Sequence, residues 1–547
     1  MATVYINDKA VDIGDKKLNL VQAAELAGVT IPHYCYHPAL SVVASCRMCL
    51  VEVGEKKPDG TVVMQPRVIP ACQTPAKDNT VIQTATAKSK SAQAQTLESI
   101  LLNHPLDCPV CDKAGECKLQ DYSYNYGNSE SRMVDDKNTP PNKPDLGNNI
   151  SLFTDRCIMC SRCVRFTREI SGTAELHVIN RGSHAEIDIF PTEPLNNKLA
   201  SNVVDLCPVG ALASKDFLYT HRVWNLKTQD SVCAGCSTGC SIHLDTNKNV
   251  VYRLRPRENP NAQGYFMCDD GRLGYHYVNS SNRISKPNLK SDSGADISSW
   301  KDIMLSLRSE LKAVAFKNAS GVAAMLSPFL TVEEGFLLAT FIKSISPKAK
   351  LVLGPVPVIG EDDHYPKTRG SVPVNVKFTI RNEKCPNKKG IEEVIKHFEG
   401  EVVLISDYLN KNSPDALFIA AGYQGEEVSW FDNNLLSQFK KIKLLITQDL
   451  FPSALTDASK YVIPSAAFSE KEGTFVNYAG LAQELHWACV PLKQVRTDGQ
   501  VYLDLLERKG LLQASNIRDE ISKSIPYFSR LAGGKLGSDG IHLVNLA

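Results

Sequence analysis

The sequence predicts a multidomain chain, α/β plus α+β, in which several small ligand-bearing domains precede one larger α/β domain. Three observations predict it. The 547 residues are too many for one core at ~150 residues per domain. Of the 17 cysteines, fifteen lie between Cys35 and Cys268. After about residue 285 they give way to apolar strands alternating with helical segments, the pattern of a largely parallel sheet.

Composition narrows the class. Lys+Arg 61 against Asp+Glu 60 leaves a formal charge of +1, which argues against a protein that lives by neutralising nucleic acid or an anionic membrane. No apolar run approaches the ~20 residues needed to span a bilayer. The opening MATVYINDKA has the build of neither a secretory signal nor a mitochondrial presequence, so a soluble chain is expected whose first domain starts almost at Met1. Nothing directs the chain to an oxidising compartment, and clustered cysteines in such a chain point to metal rather than disulfides.

By spacing, the fifteen cysteines sort into groups. In the first domain, 1–85, Cys35-x10-Cys46-x2-Cys49 is followed by Cys72, an arrangement suited to a [2Fe–2S] rhomb whose irons each take two thiolates. Thr3 to Ile6 and Lys9 to Ile13 are expected as a hairpin, Asn19 to Ala27 as a helix and Leu50 to Val53 as a strand. Cys35-Tyr36-His37 mimics half of a Rieske motif, but Cys49 stands where the second histidine would be, which leaves His37 as a loop residue.

The second domain, 86–145, carries His104-x3-Cys108-x2-Cys111-x5-Cys117. Three cysteines cannot close a four-ligand cage. His104, at the end of the amphipathic stretch Ala92–Asn103, is placed to complete it; alone it would pass for a surface histidine at a helix end. The third domain, 146–225, has Cys157-x2-Cys160-x2-Cys163 and then Cys207-Pro208, spaced for a [4Fe–4S] cube. A two-cluster ferredoxin would need further cysteines where Thr167, Val203, Ala200 and Asn197 stand, so this domain is expected to keep one cluster of a pair. The fourth, 226–285, has Cys233-x2-Cys236-x3-Cys240-x27-Cys268, with a strand from Val250 to Leu254. Fifteen cysteines plus His104 make four sets of four. Zinc competes for such ligands, but structural zinc usually pairs two short two-cysteine hooks, and none of these groups does.

In the remaining stretch, 286–547, strands are expected at Leu351–Leu353, Glu401–Ile405, Ala416–Ala420 and Lys443–Thr447, and Ile391–Phe398 has helical periodicity. No Gly-x-Gly-x-x-Gly or Walker loop follows a strand, so no means of holding NAD, flavin or ATP is visible. Cys385 and Cys489 are expected to be ordinary free thiols, and His364, His397 and His486 surface or structural residues.

The segments IPHYCYHPALSVVASCRMCLVEV, HPLDCPVCDKAGECKLQDYSYNYG, RCIMCSRCVRFTREI and VDLCPVGAL resemble, in that order, the family of iron–sulfur G subunits of bacterial NADH–quinone oxidoreductase, the counterparts of the mitochondrial complex I 75-kDa subunit. The resemblance is dense over 1–280. Beyond it, PSAAFSEKEGTFVNYAG resembles a closing motif of the molybdopterin oxidoreductases. It implies a plant-ferredoxin-like β-grasp domain, ferredoxin-like iron–sulfur domains and a degenerate molybdopterin-oxidoreductase-like α/β domain without pterin. It also implies one [2Fe–2S] cluster on Cys35, Cys46, Cys49 and Cys72. Three [4Fe–4S] clusters follow, on His104, Cys108, Cys111 and Cys117; on Cys157, Cys160, Cys163 and Cys207; and on Cys233, Cys236, Cys240 and Cys268, the last lying off the main path.

The implied partners are a flavin/NADH-binding subunit, a small [2Fe–2S] subunit and quinone-module subunits. The implied place is the bacterial cytoplasm, peripheral on the inner membrane. An insertion around Lys56–Gln65, turning at Pro58-Asp59-Gly60, departs from the family and is expected to lengthen a hairpin without touching the ligands. Cys385, in EKCPNKK, lacks the setting of a molybdenum ligand. The rival expectations are an electron-transfer subunit of an NAD-linked hydrogenase, a formate dehydrogenase large subunit and a zinc-stabilised scaffold.

Overall fold

A computed structural model describes residues 2–290, 297–368, 375–425 and 430–543. Contacts divide the chain into two units, Met1–Asn225 with Tyr365–Lys377, and Leu226–His364 with Phe378–Ala547.

The first unit opens with a mixed sheet. Strands Ala2–Ile6 and Lys9–Gly14 pair antiparallel, with Ile6 opposite Lys9. Asn7 and Asp8 form the turn between them at φ 47° and 68°, the left-handed pair that a two-residue hairpin requires. Thr80–Gln83 then lies parallel to the first strand and antiparallel to Leu50–Lys56. Helix Leu20–Leu26 follows the hairpin. Asn19 caps it, accepting from Gln22 N–H at 3.0 Å while Gln22 Oε1 accepts from Asn19 N–H at 3.1 Å. Val4, Ile6, Leu20, Val21, Val51 and Ile82 close the core beneath it. The stretch expected to be an insertion forms a hairpin: Leu50–Lys56 pairs with Val62–Met64, and Lys57 N–H bonds Thr61 O at 2.8 Å round Gly60 at φ 85°.

The helix expected over Ala92–Asn103 runs instead over Ala87–Leu101. Thr86 sets its start by accepting from Ser89 N–H at 3.2 Å, a signal outweighed in the sequence by the apolar stripe further on. The rest of this unit is built from short pieces, among them helices Lys118–Tyr126, Arg162–Phe166 and Asn202–Leu206 and the strand pair Ile150–Leu152 with Leu212–Ser214.

The second unit begins with the antiparallel strands Lys227–Val232, Ser241–Asn247 and Val250–Pro256. Its main sheet has the order Asn288–Leu289, Tyr461–Pro464, Leu444–Asp449, Ala416–Ala420, Val322–Leu326, Lys350–Leu353, parallel except for the first. Every residue of Val322–Leu326 and Ala416–Ala420 is buried, as strands covered on both faces should be. Helix Lys388–Glu399 packs Ile391, Val394 and Ile395 into this core. One expectation fails. Glu401–Ile405 is not a strand; only Leu404 bridges to Leu353, and helix Ile405–Lys411 starts at once, burying Ile405 and Tyr408 at helical spacing. Among the described residues no helix is long and apolar enough to cross a membrane.

Candidate metal centres

Cys35, Cys46 and Cys49 lie on the loop between the capped helix and strand Leu50–Lys56, where Ala44 and Arg47 adopt φ 50° and 58°. Cys72 follows strand Ile69–Pro70, anchored by Ala71 N–H to Cys49 O at 2.9 Å. These elements bring the four sulfurs together. Cys35 N–H points at Cys46 Sγ at 3.5 Å, and Cys72 is in side-chain hydrogen-bond contact with both Cys35 and Cys49. The crowding holds Cys35 and Cys49 towards thiolate and pushes Cys46 and Cys72 towards thiol. His37 accepts from Ala39 N–H at 3.2 Å within its own loop.

The second set starts three residues beyond Leu101. Cys111 N–H bonds Asp107 O at 2.8 Å, and Cys117 immediately precedes helix Lys118–Tyr126. The three cysteines act on one another electrostatically; Cys111 and Cys117 are buried and Cys108 is exposed. The structure places His104 with Lys137, Arg156 and Asp107. Burial, then the two cations, lowers its pKa to about 4, so the imidazole is neutral at pH 7, the form that can ligate a metal.

Cys157, Cys160, Cys163 and Cys207 line one pocket with Leu152, Ile158, Val209 and Leu212. Met159 and Ser161, at φ 50° and 57°, coil the chain so that successive thiols face inward. Burial pushes Cys157 up to about 12 and Cys160 to about 11, so binding metal here must displace protons. Thr167, Ala200 and Val203, which stand where a second cluster's cysteines would be, are core residues.

In the second unit, Cys233 N–H bonds Cys240 O at 2.8 Å, and the N–H groups of Gly235 and Gly271 point at Cys233 Sγ and Cys268 Sγ at 3.4 and 3.3 Å. All four cysteines are buried. A Cβ on Gly271 would come 3.0 Å from Cys233 Sγ and 3.4 Å from Cys268 Sγ, so a side chain there would press on the ligand sulfurs.

Buried thiols met by backbone N–H groups and apolar walls are the surroundings iron–sulfur clusters take. Among the described residues no group of three or more His, Cys, Asp or Glu converges as the ligands of one ion would. A cluster's thiolates instead surround an inorganic core, two to each iron of a [2Fe–2S] rhomb and one to each iron of a [4Fe–4S] cube.

Within the first unit the third set touches both others. Towards the second set, Lys118 N–H bonds Pro208 O at 3.1 Å, Arg156 pairs with Asp107, and Gly210 packs on Cys111, where a Cβ would stand 2.1 Å from Sγ. Towards the first set, Arg162 donates to Leu206 O at 3.2 Å and to Tyr36 O. Arg165 donates to Ser41 O at 2.5 Å, to Cys35 O and, at 3.2 Å, to Cys160 O. These joining residues were not singled out from the sequence. Two arginines flanking a ligand in SRCVR were the available signal.

Cys385 and Cys489 are buried, with pKa values pushed up to about 12 and about 11 by burial. A cavity of about 340 Å³ beside Cys233 is lined by Lys384, Trp430 and Phe468, whereas Cys385 sits in the core with Phe329 and Tyr423.

Family models match successive stretches of the chain: a 2Fe-2S iron-sulfur cluster binding domain over 1–87, the NADH-ubiquinone oxidoreductase-G iron-sulfur binding region over 93–132, and the NADH-quinone oxidoreductase subunit 3 ferredoxin-like domain over 147–213. The NADH-quinone oxidoreductase G subunit of Rickettsia conorii is 34% identical over 324 residues, 59% of this chain and 46% of that protein. The chain is a homologue of these G subunits.

G-subunit homologues extend to the mitochondrial proteins. NADH dehydrogenase [ubiquinone] iron-sulfur protein 1 of Solanum tuberosum is 36% identical over 59% of this chain and 42% of its own length. The NADH-ubiquinone oxidoreductase 75 kDa subunit of Reclinomonas americana is 31% identical over 66% and 50%. The chain spans about half the length of the curated relatives it matches.

A molybdopterin oxidoreductase Fe4S4 domain model matches 226–280 and a molybdopterin oxidoreductase model 369–508. The fold is therefore multidomain: a 2Fe-2S ferredoxin-like domain, 4Fe-4S domains and a molybdopterin-oxidoreductase-like α/β domain. One chain in a crystal structure of NAD+-reducing [NiFe]-hydrogenase in the H2-reduced state is 25% identical over 41% of this chain and 91% of its own. Its TM-score of 0.36 is too low to carry weight.

Proposed function

We propose that the chain is an electron-carrying subunit of NADH:quinone oxidoreductase, relaying electrons from the NADH/flavin module towards quinone. It would hold one [2Fe–2S] cluster on Cys35, Cys46, Cys49 and Cys72, and three [4Fe–4S] clusters on the sets of His104, Cys157 and Cys233. Such clusters supply one-electron transfer with little change in shape. The chain's own residues fix their spacing, exclude water and set their potentials through burial and N–H···S contacts.

The observation that carries this is the contact of the third ligand set with both the first and the second, which makes it the middle station of three. Neutral His104 in place of a thiolate leaves its set one negative charge short, which favours the reduced form. The five domains would span 1–85, 86–145, 146–225, 226–285 and 286–547, the last as a scaffold without pterin.

Partners would be the flavin/NADH-binding subunit, the small [2Fe–2S] subunit and the quinone-module subunits. Leu106 and Val110, exposed on either side of exposed Cys108, support a protein-facing surface there. The place would be the cytoplasmic face of the inner membrane, reached only through the complex. The named G-subunit homologues favour this over the hydrogenase, formate dehydrogenase and zinc-scaffold alternatives.

Iron and acid-labile sulfide assays, with EPR of the anaerobically reduced chain, test the proposal. One [2Fe–2S] and three [4Fe–4S] signals are expected. Zinc without sulfide would overturn it, and molybdenum or tungsten would restore formate dehydrogenase.

A further inference from the structure

Arg162 and Arg165 are 5% and 6% exposed, side by side on helix Arg162–Phe166. Their partners are almost all backbone carbonyls, drawn from two ligand loops: Tyr36, Ser41 and Cys35 from the first, Cys160 and Leu206 from the third. Arg165 also donates to Ser161 Oγ at 3.4 Å, and Arg162 Nε is buried with no partner. Among the described residues no carboxylate stands within ion-pair distance of either. Two like charges have thus been brought inside together with no protein anion to meet them, an arrangement that is costly unless negative charge is supplied from elsewhere.

Each flanking ligand set can supply it. Four thiolates outweigh the positive charge of an iron–sulfur core, and reduction adds one more negative charge. A fixed cation nearby favours the reduced form, and a cation shared by two centres acts on both. Arg165 also fixes geometry, since one nitrogen, Nη2, donates to the backbone carbonyls of a ligand from each set.

We infer that Arg162 and Arg165 are positioning residues that tie the first and third ligand sets into one redox pair, holding them in register and raising both potentials with the same two charges. The inference rests on the proposal that these sets hold iron–sulfur clusters.

The test is an EPR-monitored redox titration of the full chain carrying Arg165→Gln or Arg162→Gln, with Arg165→Lys as the variant that keeps the charge. In the Gln variants both the [2Fe–2S] midpoint and that of the Cys157 set are expected to fall. The Cys233 set should hold, and Arg165→Lys should return the two potentials towards wild type. Joint loss of the first and third clusters, with the other two retained, would equally show the tie. Unmoved potentials, movement or loss of one cluster alone, or loss of all four would overturn it. A wild-type chain lacking clusters in these sets would instead sink the functional proposal itself.

Discussion

Arg156 donates from Nε and Nη2 to the same carboxylate oxygen of Asp107, at 3.1 and 2.8 Å, and so pins the loop before Cys108 to the turn before Cys157. The guanidinium also lies over the Phe153 ring, 4.1 Å from its centroid, which keeps it from swinging to solvent. Asp107→Ala would strand that buried charge. Because the Asp107 side chain is 36% exposed, screening brings the cost below that of a fully buried pair, to on the order of 2 kcal/mol. The Cys108 cluster should bleach faster under mild oxidant than in wild type, with Asp107→Asn intermediate; equal rates would show that the pair does not hold the loop.

Gly210 and His104 both bear on the second set. Gly210→Ala forces a methyl against Cys111 Sγ, a clash costing roughly 1–3 kcal/mol, and should deplete the Cys108 cluster although Gly210 follows Cys207 in sequence. His104→Ala should remove that same cluster and leave the [2Fe–2S] EPR signal in place. Unchanged iron content in His104→Ala would show that the imidazole is not a ligand.

The inserted hairpin offers a control. Val62 and Val63 on its second strand are exposed, and Gly60 turns it with no neighbour that a Cβ would meet. Cutting the tip back between Lys57 and Met64 should leave the [2Fe–2S] absorption unchanged and alter stability by less than about 1 kcal/mol. Loss of colour would mean that the hairpin braces Cys49.

Asp449 makes the stability of the second body depend on pH. Burial, reinforced by Asp498, lifts its pKa to about 7 against the N–H groups of Leu450, Gly422 and Tyr423 that favour its charge. An acid raised in the folded state contributes its full stability below the unfolded value of ~3.9 and loses it as pH rises through the folded one. Stability should fall from pH ~4 to ~7 and level off above, by roughly 1.4 kcal/mol for each tenfold weakening of the acid on folding. Asp449→Asn should slow amide exchange in strand Leu444–Asp449 relative to wild type near pH ~8 and have little effect near pH ~4. An equal effect at both pH values would show that the carboxylate is not titrating.

Ligand grouping and local structure are legible in the sequence to different depths. The hairpin over Ala2–Gly14 and the helix Leu20–Leu26 declare themselves through alternation and amphipathic periodicity, which are local signals. Strand Ala416–Ala420 is legible to its observed limits because a strand covered on both faces is apolar throughout. Glu401–Ile405 misleads for the same reason, since an apolar run does not reveal whether a neighbouring strand has an edge free to pair with it. Spacing likewise gathers cysteines into groups but does not say which groups touch. Arg156 with Asp107, Gly210 with Cys111 and Arg165 with Cys35 are separated by 49, 99 and 130 residues, and only the folded chain shows them.

The short stretch Tyr365–Lys377 belongs with the first unit although nearly 140 residues part it from Asn225. Lys367 N–H bonds Ser171 O at 2.7 Å, and Gly172, at φ 72°, leaves no room for a Cβ beside the Lys367 backbone. On the ribosome, therefore, the amino-terminal body stays unfinished until much of the α/β body has been synthesised. Removing the carboxy-terminal half would take away part of what it needs to close.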